Sequence, residues 1–144
     1  MKKLKYFIEF LVIVLLFLIF RIVGYKVASN FGYFIGKNVG PKFRSKEIIK
    51  ENLRKFKTSI NNHEIEEITK KMWGNYGRIL AEYPFIPSFR KGKLEKYIKI
   101  DGLENLEKIK INKEPTVFIS GHFNNFELMA MIIEREGIDL FAVY

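Results

Sequence analysis

Thr116-Val117-Phe118-Ile119-Ser120-Gly121-His122-Phe123-Asn124-Asn125-Phe126-Glu127 is the stretch on which the fold turns. Its first five residues are continuous β-formers, the composition of a strand buried on both faces. Residues 123–136 then read as a helix closed by Gly137, and residues 138–144 as a second apolar strand. Strand, helix and strand in this order predict a βαβ unit with a right-handed crossover and a parallel sheet. In open sheets of that kind ligands bind outside the carboxyl ends of the strands, which is where residues 121–127 would fall. Because the chain stops inside the second strand, the sequence reads as a fragment of a longer α/β protein.

Upstream, residues 97–100 are a short strand candidate, 102–109 a short helix and 112–115 a turn, while 84–92 is a turn-rich connection. A longer helix is expected from Asn61, with Glu64 three residues on as in a capping box, through Ile65, Ile68, Met72, Tyr76, Ile79, Leu80 and Tyr83 to its stop at Pro84. Gly74 and Gly77 weaken this helix and mark the close approach of another element. Met72, Trp73 and Tyr76 read as core rather than as a cofactor box. Arg78 and Glu82 have the spacing of a surface pair, with Arg78 alternatively placed to reach a lipid phosphate. His63 and Glu67 have metal-ligand spacing, but only two histidines exist and no third ligand is in view, so a solvated helix start is the better reading.

Ser45 offers an N-cap for a short amphipathic helix with Ile48, Ile49, Leu53 and Phe56 on one face and Lys46, Lys50, Arg54, Lys55 and Lys57 on the other. Such a helix suits an anionic membrane surface or an ordinary packed core equally. Before it, residues 28–41 carry Gly32, Gly36 and Gly40, a small-every-fourth pattern for close helix packing; a flexible interfacial connection fits as well. Residues 4–23 are apolar apart from Lys5, Glu9 and Arg21, and twenty helical residues span about 30 Å, the thickness of a hydrocarbon core. Glu9 can sit at headgroup level or pair with Lys5. A signal peptide ending near Val27-Ala28-Ser29 is the rival reading. The domain division is a membrane anchor helix over 1–27 and the N-terminal part of a larger, truncated domain over 28–144.

The absence of cysteine excludes disulfide scaffolds, thiolate nucleophiles and Cys-ligated zinc. A net charge of +9 implies a polyanionic partner, nucleic acid or anionic lipid. The apolar N-terminal segment and the aromatic residues interleaved with the basic ones favour membrane lipid over nucleic acid.

Within the opening stretch, His122 and Glu127 are five residues apart, which on a regular helix would set them about 140° apart at about 100° per residue. A histidine ahead of the helix can instead swing back over its end to a glutamate in the first turn. The carboxylate would then fix one tautomer, and the other ring nitrogen could take a proton from an incoming hydroxyl. Asn124 and Asn125 add donors beside the helix start, where free N–H groups favour developing negative charge. The spacing by itself is weak, since a helix-capping histidine and a solvent-facing glutamate match it often.

Gly121-His122-Phe123-Asn124-Asn125-Phe126-Glu127 resembles the Gly-His-Phe-Gly-Asn-Trp-Glu signature of the lipid A biosynthesis late acyltransferases, the lauroyl and myristoyl transferases. The wider order is similar too, with one N-terminal membrane helix, Met72-Trp73-Gly74-Asn75-Tyr76-Gly77-Arg78 with Glu82, and Gly102-Leu103-Glu104-Asn105-Leu106. The resemblance implies an incomplete glycerolipid-acyltransferase-like α/β domain with a partly parallel sheet, behind a single-pass anchor in a bacterial inner membrane with its catalytic part facing the cytoplasm. It implies acyl transfer from acyl carrier protein, or from coenzyme A, to a hydroxyl of a lipid A precursor or related glycolipid, with no further cofactor and no metal. His122 would be the general base and Glu127 its partner, with Asn124, Asn125 and Arg78 on the substrate. Two departures stand out: Asn124 replaces a usual glycine and adds bulk, and Phe126 replaces a usual tryptophan and loses the indole donor. A non-catalytic membrane-anchored interaction module and a basic nucleic-acid-binding domain are the readings from other classes.

Overall fold

The computed structural model describes residues 2–43, 45–113 and 115–141, and every regular element among them is helical. The chain divides into two compact units, one up to Pro84 and one from Phe85 onward.

In the first unit, α1 (Lys2–Val23) is a 22-residue apolar helix, long enough to cross a membrane. Phe20 is its one buried side chain, and Glu9 pairs with Lys5 at 3.7 Å. Gly24 then takes φ +85°, a conformation that ends α1 at little cost only in glycine. The chain bends there. Phe20 and Phe31 are eleven positions apart, about 16 Å along a continuous helix, yet their ring centroids lie 6.5 Å apart.

Helix α2 (Tyr25–Val39) runs antiparallel along α4 (Asn62–Glu82). The contact is backbone on backbone: a Cβ added at Gly32 would stand 2.4 Å from the Gly77 carbonyl oxygen, and one at Gly36 2.2 Å from that of Trp73. Gly40 lies under the Trp73 ring and Gly74 under that of Tyr33. The glycines spaced by four are therefore a packing seam rather than a flexible connection. At its far end Glu82, only 4% exposed, accepts hydrogen bonds from Ser29 Oγ at 2.7 Å and Tyr25 Oη at 3.3 Å. The expected surface pair of Arg78 with Glu82 is corrected accordingly: α4 turns Glu82 inward onto α2, where two hydroxyls satisfy it.

The start of α4 is the predicted capping box, with Asn61 Oδ1 accepting from the Glu64 N–H at 2.9 Å and Glu64 Oε2 accepting from the Asn61 N–H at 3.0 Å. That backbone hydrogen bond, then the one from Lys57, lowers the Glu64 pKa from its ordinary value. Helix α3 (Lys46–Phe56) buries Ile49 and leaves Phe56 exposed. Ser45 does not cap it with its side chain; its hydroxyl donates to Glu47 Oε2 at 2.6 Å instead.

The second unit holds α5 (Ile86–Arg90), α6 (Leu103–Asn112) and α7 (Glu127–Arg135). The proline-containing connection is thus itself a helix, because Pro87 falls near the start of α5, where its missing N–H costs nothing. Helix α5 packs on α7, joined by Arg90 to Glu134 at 2.6 Å, while Arg135 reaches Glu95 at 3.1 Å.

The α/β expectation is overturned. Among the described residues there is no strand, so there is no parallel sheet and no βαβ unit. Residues 97–100 leave a 3-10 turn (Glu95–Tyr97) and run on without regular structure. Residues 116–120 are irregular, with Val117 84% and Ile119 92% exposed. Phe118 between them lines an apolar cleft with Leu128 and Ile132 of α7, so only one side of the segment is covered. β-formers make a strand only when a neighbouring backbone receives their hydrogen bonds, and no described segment does so. Residues 138–141 are likewise irregular, and the remainder of that expected strand, 142–144, lies outside the described residues.

Candidate active site

The approach to α7 is a series of tight turns. The Phe123 N–H donates to the Gly121 carbonyl at 2.7 Å, closing a three-residue turn with His122 at its centre. The Phe126 N–H donates to the Asn124 carbonyl at 3.1 Å, and those of Leu128 and Met129 to Asn125 and Phe126 at 3.2 and 3.1 Å, which winds the backbone into the helix. Helix α7 therefore begins at Glu127, four residues later than the sequence predicts. Gly121 tolerates the turn closely: a Cβ there would meet the Phe123 ring at 2.4 Å, although that exposed ring can swing aside.

This arrangement puts His122 before the helix and Glu127 at its first position. The imidazole is exposed and stands edge-on to the Phe126 ring, centroids 4.3 Å apart and planes 69° apart. An aromatic edge-to-face contact fixes a ring plane without consuming either imidazole nitrogen.

Asn124 has φ +50°. Left-handed backbone is the region that glycine enters freely and asparagine tolerates best among the other residues. The departure at this position is thus a backbone equivalence, where the sequence suggested added bulk. Asn125 is half-buried in the same turn. Four of the five site residues, His122, Asn124, Asn125 and Glu127, come together in this one segment.

Arg78 belongs to the first unit, on α4. Its guanidinium lies 4.7 Å from the centroid of the Tyr33 ring, a cation–π geometry, and its Nε is buried with no hydrogen-bond partner among the described residues.

Glu127 also lines a cavity of about 470 Å³ with Arg90, Met131, Glu134 and Asp139; His122 is not part of that lining. The sequence reading missed this polar surround. Its signal was present in the helical spacing, since Glu127, Met131 and Glu134 recur at four and seven residues on one face of α7. The spacing of His63 and Glu67 gathers no ligand set: Glu67 pairs with Lys71 at 3.4 Å, and no group of three or more His, Asp or Glu side chains converges among the described residues.

A family profile described as bacterial lipid A biosynthesis acyltransferase matches residues 1–144, the whole chain. No curated protein matches, and no solved structure does.

Proposed function

The chain belongs to the bacterial lipid A biosynthesis acyltransferases, and on that premise we propose that His122 and Glu127 carry the transfer of a fatty acyl group to a hydroxyl of a lipid A precursor or related glycolipid. The observation that supports this most is the turn at residues 121–126, which sets an exposed imidazole immediately ahead of a helix whose first residue is a glutamate.

His122 takes the proton of the acceptor hydroxyl, so that the oxygen attacks the carbonyl carbon of the acyl thioester. The tetrahedral oxyanion that forms is stabilised by the Asn124 and Asn125 side chains beside the N-terminal, positive end of α7. Collapse expels the thiolate, which takes the proton back. No covalent acyl-enzyme is required, consistent with a chain without cysteine. Glu127 is the positioning residue that holds the imidazole in its basic tautomer and favours its protonated form. The acyl donor is acyl carrier protein or coenzyme A, a substrate rather than a cofactor. Arg78, whose guanidinium stands over the Tyr33 ring, is the first unit's candidate for a phosphate of the lipid substrate. Helix α1 anchors the chain in the inner membrane with the catalytic part on the cytoplasmic side.

Mass spectrometry of envelope lipids from cells with and without the gene tests this reading. A lipid A species lighter by one acyl chain is expected in its absence, and identical lipid profiles would remove it.

A further inference from the structure

The first unit carries a second charged feature, unrelated to the turn at His122. A groove of about 570 Å³ between the end of α2 and the starts of α3 and α4 is lined by Lys37, Lys42, Lys46, Lys50, Asn38 and Asn62. The sequence assigns these lysines to different segments, and the fold gathers them. Of the other charges at the groove, Lys70 is paired with Glu66 at 2.7 Å, and Glu47 accepts from Ser45. Among the described residues Lys37, Lys42, Lys46 and Lys50 form no ion pair. Glu47 and Glu66 offset part of this charge: the Ser45 hydroxyl first, with Lys46 and Lys50 among the lesser causes, lowers the Glu47 pKa, and Lys70 first, with Lys46 among the lesser causes, lowers that of Glu66. Five lysines against two carboxylates leave the concavity net positive and suited to a further anion.

The surroundings say which anion. Helix α1 is membrane-spanning in length and composition, and the bend at Gly24 lays α2 back against its end, with Phe20 on Phe31. The outward side chains of α2, Val27, Phe31 and Phe34, are apolar and more than half exposed or at that limit, and Phe43 beyond them is 78% exposed. Aromatic and aliphatic residues followed by lysines are the side chains that settle at the boundary between acyl chains and headgroups. We propose that this groove binds the phosphate of an anionic phospholipid in the bilayer that holds α1, so that the first unit is seated by a headgroup contact as well as by its apolar helix.

The test uses the full chain in a neutral detergent, titrated with dihexanoyl phosphatidylglycerol, dihexanoyl phosphatidylcholine and inorganic phosphate at low salt. The anionic lipid is expected to bind at least about ten-fold more tightly than the zwitterionic one, the order that a few lysines contribute at headgroup depth. In the variant K42Q/K46Q/K50Q this preference falls to within about two-fold. E47Q, which removes an opposing charge and spares every lysine, increases it, and so reads the groove even where the triple variant fails to fold. K93Q/K96Q/K99Q, with the same charge change in the second unit, leaves it intact. Equal binding of both lipids, a preference retained by the groove variant or lost in the control, no response to E47Q, or inorganic phosphate matching the anionic lipid each overturns the proposal.

Discussion

The ring of His122 meets the ring of Phe126 edge to face at 4.3 Å, one residue ahead of Glu127. If that contact sets the angle at which the imidazole addresses a hydroxyl, F126A lowers kcat by about ten-fold or more with little change in KM, the cost of a misdirected reacting group. F126W, which restores an aromatic edge, stays close to the parent. Initial rates of acyl transfer for the two variants decide it, and equal losses in both would show that the contact does not orient the base.

Gly77 packs against the backbone of α2 so closely that its added Cβ would lie 2.1 Å from the Gly32 carbonyl oxygen. Backbone cannot swing aside as a side chain can. G77A therefore has to force α2 and α4 apart, and is expected to cost about 2–3 kcal/mol, the upper part of the range for overpacking. Trp73, the single tryptophan, sits on this seam and reports the unfolding by fluorescence.

The φ of +50° at Asn124 separates a backbone role from a side-chain role. N124G keeps the left-handed turn and is expected to change stability by less than about 0.5 kcal/mol, whereas N124V costs about 1–2 kcal/mol or shifts the turn. If N124G nonetheless loses transfer, the amide acts on substrate; the same loss in N124V alone assigns it to the backbone. Thermal melts read beside activity distinguish the two.

Glu64 closes the α4 capping box and has a lowered pKa, caused first by the Asn61 backbone N–H and then by Lys57. A carboxyl group with a folded pKa below its unfolded one adds stability that is complete above the unfolded pKa and disappears as pH falls through the folded pKa. The midpoint of thermal unfolding should accordingly drop on acidification through the glutamate range, with a smaller drop in E64Q. Melting curves across that range check the sign.

Much of the first unit is legible in the sequence because its signals are local. The apolar run of α1, the Asn61–Glu64 pair and the glycines at 32, 36, 40, 74 and 77 each state a geometric need that a neighbouring turn or helix meets. The second unit is read less well where the missing information is non-local. Val117, Phe118 and Ile119 favour extended backbone, but a sheet depends on a hydrogen-bonded neighbour that their own composition cannot supply. Glu82 shows the same limit, since its spacing from Arg78 suggests a surface pair while its position against Ser29 and Tyr25 is a matter of tertiary packing. Within the candidate site, the order of His122 ahead of a helix with Glu127 in its first turn is legible. The γ-turn around His122 and the left-handed Asn124 are not, because neither leaves a mark in residue spacing.

The role of His122 is tested most directly by measuring acyl transfer to a lipid A precursor by H122A and by the parent protein at matched membrane content. The proposed general base requires that transfer fall by at least about 10²-fold while membrane association remains unchanged. Transfer by H122A at the parental rate would contradict it.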